Sequence, residues 1–435
     1  MRFTRYPAAA LLSLILLPGG SAIAADETTQ NLTEAGDIVQ LLLPLGAYVG
    51  TWIAGDKEGA YQFTKSLAAS SITVHTIKAG VSRLRPDAGT EQSFPSGHTQ
   101  SAFSGAEFIR IRYGNAWGIP AHIGALFVGY TRVRANKHFA DDVLAGASIA
   151  MMWNWYFTSP LSETLELQPI KMDDGYGVEF NYNFDGRSRP QPDYSQSAKF
   201  YFNAEFGPVT QDKNLFVAPP EAGDVIDLAT AENELDFTSR IMLRHVFRPR
   251  HEWDAYFSPM ELVEFDPDQI VTEPVRFGGK TFVPTGNSQF RSRYNFFELR
   301  AVYRYALIQN DFWDIRVGGG AQYSDTFLLV EQFEGDFNTG TLVEEAEAES
   351  KKINAIASAR IDYTLTERWR LDLELDANVG GDPYTNTALY LTWRASPEWT
   401  FGLGARYITW DLNDKEVKNE LEIGDLIVRI GHSFF

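Results

Sequence analysis

From Tyr176 onward the chain alternates. Trp369, Leu371, Leu373, Leu375, Ala377 and Val379 are separated by Arg370, Asp372, Glu374, Asp376 and Asn378. Ile353, Ala355, Ala357, Ala359, Ile361, Tyr363 and Leu365 interleave with Asn354, Ser358, Arg360, Asp362 and Thr364. Phe297, Leu299, Ala301, Tyr303 and Tyr305 do so with Glu298, Arg300 and Arg304, and Trp313, Ile315 and Val317 with Asp314, Arg316 and Gly318. Successive side chains of a strand point to opposite faces. Strand after strand therefore has one apolar and one charged face. A soluble sandwich would turn the apolar face inward; a transmembrane barrel turns it to lipid and keeps a polar lumen. The loops favour the barrel. Tight turns at 248–250, 308–311, 366–368 and 396–398 alternate with long acidic or glycine-rich stretches at 266–288, 331–351 and 411–420. Bacterial outer-membrane barrels have this asymmetry of short periplasmic turns and long external loops. Counting back from Phe435 gives ten strands beginning near Ala198. Residues 176–184 would be an eleventh, lying outside the barrel unless a weak strand within 207–231 makes twelve. Ten to twelve strands are expected.

The end of the chain, Ile430-Gly431-His432-Ser433-Phe434-Phe435, resembles the aromatic-ended last strand of outer-membrane proteins, although the alternating set Leu426, Val428, Ile430 runs to Phe434. Ahead of the barrel, residues 34–161 have a helical pattern. Residues 38–55, 114–131 and 143–161 carry no charge and are near the lower length limit of a membrane span. Each also holds proline, glycines or small residues, as helices buried in a compact bundle do. A chain with inner-membrane spans would not ordinarily release a barrel to the outer membrane, so a periplasmic bundle is expected. The N-terminus agrees: Arg2 and Arg5, an apolar run at 8–17 and Ala22-Ile23-Ala24 form a secretory signal cleaved after Ala24. The net charge of −19 argues against nucleic acid as a partner, and the lack of cysteine excludes disulfides and thiolate metal sites. The expected organisation is two-domain: signal peptide 1–24, all-α bundle 25–165, linker or first strand 166–196, and antiparallel transmembrane β-barrel 197–435.

The polar residues of the helical part form three clusters. Lys78 and Arg85 are seven apart, two turns of one helix face, with Pro86 to end that helix. Phe94-Pro95-Ser96-Gly97-His98 precedes a helical stretch at 99–111, and small residues at a helix start let backbone N–H groups approach an anion. Arg132 precedes His138 and Asp142, whose spacing of four stacks them on a helix face. A carboxylate can hold one imidazole nitrogen and leave the other basic, and such a histidine can attack phosphorus. Lysine as a point charge and arginine as a planar fork suit the peripheral oxygens of a phosphoryl group. His98 would protonate the departing oxygen and later activate water. The bland readings are a helix-capping His/Asp pair for His138 and Asp142, and a solvated helix face for Lys78 and Arg85.

Lys-x6-Arg-Pro, Pro-Ser-Gly-His and Arg-x5-His-x3-Asp, in that order over residues 35–160, resemble the signature of the type 2 phosphatidic acid phosphatase superfamily. The resemblance implies a helical bundle and metal-independent, cofactor-free hydrolysis of phosphoesters through a phosphohistidine. It implies His138 as nucleophile, Asp142 as its orienting partner and His98 as acid, with Lys78, Arg85, Ser96, Gly97 and Arg132 on phosphate. Two departures are visible: Thr131 stands where the family's third motif has serine, and only residues 87–94 separate Pro86 from Pro95. The barrel makes a lipid phosphate or lipid pyrophosphate the expected substrate, at the outer membrane with the catalytic part in the periplasm. Soluble phosphomonoesters, a vanadate-dependent haloperoxidase chemistry and a channel or transporter role for the barrel are the alternatives. No feature fixes an oligomeric state. Among other residues, His75 is expected to be packed on its helix, His122 to be a satisfied core histidine, and Asp141 to be solvated or capping. Arg83 is either clamp or surface. His245, His251 and His432 lack metal-ligand context.

Overall fold

The structure, a computed structural model, describes residues 27–87, 89–161, 165–172, 175–182, 198–229, 236–265, 272–335 and 340–435. The signal segment 1–24 and most of the expected linker lie outside the described residues. The chain divides into two compact units, residues 1–193 and 194–435.

The first unit holds five helices, α1 Glu27–Ile53, α2 Lys57–Gly80, α3 Gly97–Tyr113, α4 Asn115–Arg134 and α5 Ala140–Phe157. Local chemistry sets their ends. Asp56 caps α2 by accepting the Gly59 N–H at 2.8 Å, and its carboxylate also takes the Arg112 fork at 2.5 and 2.6 Å, tying the α1–α2 turn to α3. Gly114, at φ 93°, takes the left-handed turn between α3 and α4 that a Cβ would strain. Small residues let helices touch through their backbones. A Cβ on Gly105 would stand 2.5 Å from the Leu43 carbonyl carbon of α1, and one on Gly146 would stand 2.3 Å from the Ser96 oxygen. Helix α3 packs against all four others, and on α5 every residue from Val143 to Met152 is buried. The other uncharged segments differ from it. On α1, Ile38, Leu41, Leu42, Leu45, Val49, Trp52 and Ile53 form a stripe at helical spacing that is exposed, not buried as the bundle reading of 38–55 expects. Residues 29–53 are long and apolar enough to cross a membrane.

A hairpin follows, β1 Leu165–Met172 with β2 Gly175–Tyr182, paired only with each other. The alternating segment from residue 176 is thus no barrel strand.

The second unit has β3 Phe200–Val217, β4 Val225–Asp227, β5 Asp236–Arg248, β6 His251–Phe265, β7 Val275–Phe277, β8 Lys280–Phe282, β9 Ser288–Gln309, β10 Trp313–Glu334, β11 Thr341–Thr364, β12 Trp369–Asn378, β13 Tyr384–Arg394, β14 Trp399–Asn413 and β15 Lys418–Phe434. Ten of these, β3, β5, β6 and β9 to β15, pair antiparallel in sequence order, and β15 closes the ring on β3 with Phe434 opposite Phe200. The choice between ten and twelve strands falls on ten among the described residues. Three-residue β4 pairs with the far end of β3, and β7 and β8 form a hairpin of their own.

Side-chain direction distinguishes the barrel from a sandwich. Glu205, Arg240, Asp254, Arg300, Arg304, Asp376 and Arg429 are buried in the lumen, whereas Leu307, Ile353, Leu389, Leu403 and Leu426 are exposed on the outside. The buried charges neutralise one another: Arg429 reaches Glu205 at 2.8 Å and Glu374 at 2.9 Å, Arg240 reaches Glu205 at 2.7 Å, and Arg304 pairs with Asp254. The pattern inverts along the long strands. On β9 the inward set passes from Phe290, Tyr294 and Phe296 to Glu298, Arg300 and Arg304, while the outward set passes from Arg291 and Asn295 to Phe297, Leu299 and Leu307. On β11, Glu345 and Glu347 face outward before Ile353 and Ala357 do. The apolar interior of the long-loop end gathers Phe216, Phe277, Phe282, Phe290, Tyr294 and Trp410. About ten residues of strand span hydrocarbon. The 22 residues of β9 and β10 and the 24 of β11 therefore extend well past an apolar belt into a segment patterned like a water-soluble barrel.

Candidate active site

The three polar clusters converge in the first unit, but by routes other than shared helix faces. Helix α2 ends at Gly80, where Val81 turns extended (φ −120°, ψ 105°), so Lys78 and Arg85 do not share a helix face and Pro86 is not its stop. The chain then folds back on itself: Arg83 N–H donates to the Glu91 carbonyl, Arg85 N–H to that of Thr90 and Ser93 N–H to that of Arg83, each at 3.0 Å. This brings the Lys78 ammonium onto the carbonyls of Gln92 at 2.6 Å and Ser93 at 3.3 Å. Ser96 caps α3, accepting from the Thr99 N–H at 3.4 Å and the Thr99 hydroxyl at 3.0 Å, and Gly97 and His98 open the helix.

His138 and Asp142 also meet differently from a helical pair. Helix α5 begins at Ala140, so His138 precedes it and Asp142 reaches back across its N-terminus. Asp142 Oδ2 accepts the Phe139 N–H at 2.9 Å and the Ser93 hydroxyl at 2.5 Å, and lies 3.4 Å from His138 Nδ1. Its Oδ1 takes Arg83 Nη1 at 2.9 Å. The same guanidinium nitrogen bonds both oxygens of Asp141 at 2.9 Å and the group stacks over the Phe139 ring. Arg83 is therefore a buried tie that fixes the Asp142 loop, neither phosphate clamp nor surface residue, and Asp141 is buried rather than solvated.

Burial alone would raise the Asp142 carboxyl, but Arg83, His138 and Ser93 outweigh it and hold it at about 2. Burial likewise lowers the His138 imidazole below its ordinary value, against the pull of Asp142 and with help from Lys78 and Arg85. The shift favours the neutral imidazole, whose Nδ1 stands 3.4 Å from the carboxylate. Burial pushes Lys78 down to about 8, opposed by Asp142 and aided by Arg85. His98 is lowered to about 4, first by burial and then by Arg132, opposed by Asp37 and aided by His138 and Arg85. Lys78, Arg85, His98, Arg132, His138 and Asp142 are thus linked by mutual electrostatic influence. Arg85 Nε is buried without an acceptor, a donor with nothing yet to bind.

Arg132 is held from outside the three clusters. Its Nη2 donates to the Thr33 carbonyl of α1 at 2.8 Å and to the Thr131 hydroxyl at 3.2 Å, and its Nη1 meets Asp37 of α1 at 2.8 Å. Asp37 also stands 3.4 Å from His98 Nε2. Sequence reasoning missed Asp37 and Arg83. Asp37 begins an apolar run without a motif; the double acid Asp141-Asp142 was the one hint that a buried cation is needed. His75 is exposed rather than packed, and His122 bonds the Gly118 carbonyl at 2.8 Å and Glu107 at 3.1 Å in the core.

The arrangement can be compared with known proteins. The family described as the PAP2 superfamily matches residues 60–163. Residues 60–163 are a PAP2 superfamily domain. The PAP2 domain thus spans α2 to α5 and all eight motif residues, and leaves α1 outside it. Over 200 residues, 39% of the chain, the protein is 27% identical to the lipid A 1-phosphatase of Porphyromonas gingivalis, covering 45% of that protein's length, less than half. It is 28% identical over 178 residues, 37% of the chain, to the lipid A 4′-phosphatase of Helicobacter pylori, covering 88% of that protein. Among solved structures, the outer membrane protease OmpT of Escherichia coli is matched at 8% identity and a TM-score of 0.35, over 54% of this chain and 97% of that one. The barrel assignment rests on the closed strand pairing alone.

Proposed function

We propose that the protein is a phosphatase that removes phosphate from a lipid phosphomonoester of the lipid A class, working from the periplasmic side of the outer membrane in which its barrel is seated. The observation that carries this reading is the buried His138–Asp142 contact, within the electrostatic reach of Lys78 and Arg85. His138 Nε2 attacks phosphorus, and the bond from phosphorus to the ester oxygen breaks as the new P–N bond forms. The ester electron pair stays on the departing oxygen, which takes a proton from His98. Asp142 stabilises the resulting Nδ1-protonated phosphohistidine. Water then attacks phosphorus, His98 recovers a proton from it, and the P–N electrons return to His138 as phosphate leaves. Lys78, Arg85 and Arg132 offset the negative charge of the phosphoryl oxygens throughout, with Ser96 and Gly97 at the α3 N-terminus. A bound dianion between Arg132 and His98 counters the cation's push and raises His98 toward the working pH.

The lipid part of the reading is supported by the two relatives named lipid A phosphatases and by the exposed α1 stripe, which begins at Ile38, next to the site residue Asp37. Its test is phosphate release from lipid A by the detergent-purified full chain in the presence of a chelator. Wild type is expected to turn over, and His138→Ala to lose at least about 10³-fold in kcat/KM. Equal rates in the two proteins would overturn the mechanism.

A further inference from the structure

Asp37 is a carboxylate inside an anion site. It stands on α1, ahead of the matched residues 60–163, and touches one group assigned above to phosphate, Arg132 Nη1 at 2.8 Å, and the assigned acid, His98 Nε2 at 3.4 Å. A Cβ on the neighbouring Gly36 would stand 2.2 Å from the Thr131 hydroxyl, so α1 lies against α4 at closest approach beside Asp37. Its side chain is half exposed, at 48%. With Nε2 of His98 taken as the atom that hands its proton to the departing oxygen, the carboxylate beside it borders the leaving group.

We infer that Asp37 is a specificity-determining residue that favours hydroxylic leaving groups over phosphate leaving groups, and so sets the enzyme for monoesters against pyrophosphates; this rests on the phosphatase reading above. When a monoester is cleaved, the departing alcohol leaves neutral, and a neighbouring sugar hydroxyl can donate to Asp37. When a pyrophosphate is cleaved, the departing group is itself an anion placed against a fixed carboxylate. Close like charges in a partly desolvated site are discriminated by on the order of tenfold or more. Arg132 is braced through Nη2 and Nε by Thr33 and Thr131 and carries Asp37 on Nη1, so its charge is shared between that carboxylate and the bound phosphoryl group.

The test uses the full chain in detergent. Farnesyl phosphate and farnesyl diphosphate, which share a tail, are compared by kcat/KM, and phosphate and pyrophosphate are compared as competitive inhibitors of the lipid A reaction. Asp37→Asn is expected to raise the diphosphate-to-monophosphate ratio about tenfold and to tighten pyrophosphate more than phosphate, with Asp37→Glu keeping the wild-type ratios. Asp37→Ser, smaller and also neutral, gives the same readout if the asparagine variant does not accumulate. Unchanged ratios, or a uniform loss on both esters and both inhibitors, would show a residue that only braces Arg132 and would overturn the inference. A wild-type protein as inactive as His138→Ala would overturn the phosphatase reading beneath it.

Discussion

At the scale of single residues, the site works by placing charges where burial makes them responsive. Lys78 is the clearest case. Its ammonium, pushed down to about 8 by burial, is charged below that pH and lost as the pH rises through it. Phosphate is already dianionic there, so its inhibition constant should climb from about pH 7.5 to about pH 9.5 as the cation disappears. Lys78→Arg, whose guanidinium stays charged, should bind phosphate with a flat profile over the same range. An identical climb in both proteins would assign the limb to another group. Arg83 shows the other use of a buried cation. It holds Asp141 and Asp142 in place, and on the proposed mechanism it would act through the carboxylate beside His138.

At the scale of elements, the site depends on how closely helices approach. Gly146 on α5 lies against the Ser96 carbonyl, whose N–H in turn donates to the Asp142 carbonyl at 2.9 Å. The phosphate cradle and the His138–Asp142 segment are thereby one rigid piece. Gly146→Ala would drive a methyl to 2.3 Å from a backbone oxygen that cannot step aside. The expected result is a loss of about 1–3 kcal/mol in stability together with a fall of about tenfold or more in kcat/KM. Unaltered melting and kinetics would mean that the contact can relax freely. The spacing of the three clusters singled out eight positions of the candidate site in the sequence, because chemistry constrains residue type and order. It did not make legible how they meet. Gly80 and Val81 end α2 before Pro86 can, and α5 starts after His138, because hydrogen bonds of the returning 83–93 segment and the Asp142 cap outweigh the helical spacing. Asp37 escaped notice for a different reason: its partner Arg132 is distant in the chain, and nothing local marks such a pairing. Strand period was readable throughout the barrel, but the inversion on β9 and β11 was not, since alternation looks the same whichever face is turned to water.

For the whole molecule, the barrel's interior bears on the channel alternative. Among the described residues the lumen is crossed by paired charges from Glu205 to Arg429, and its long-loop end is filled by Phe216, Phe282, Phe290 and Trp410. Purified protein in a planar bilayer is therefore expected to show no discrete conductance steps at neutral pH, since ten strands leave a lumen that side chains can fill. Stable, ion-selective steps would reinstate a pore. The closure of β15 on β3 also imposes a timetable. Phe434 must find Phe200 across the entire barrel sequence, and until it does, β3 keeps a row of unmade hydrogen bonds. The helices α1 to α5 need no such wait, because every partner described for Asp37, Arg83 and His138 lies before residue 162. Contacts between near neighbours in the chain form sooner than distant ones. Newly made chains should accordingly acquire a folded helical unit while their ring is still an open ribbon, so that the candidate site is assembled before the barrel closes.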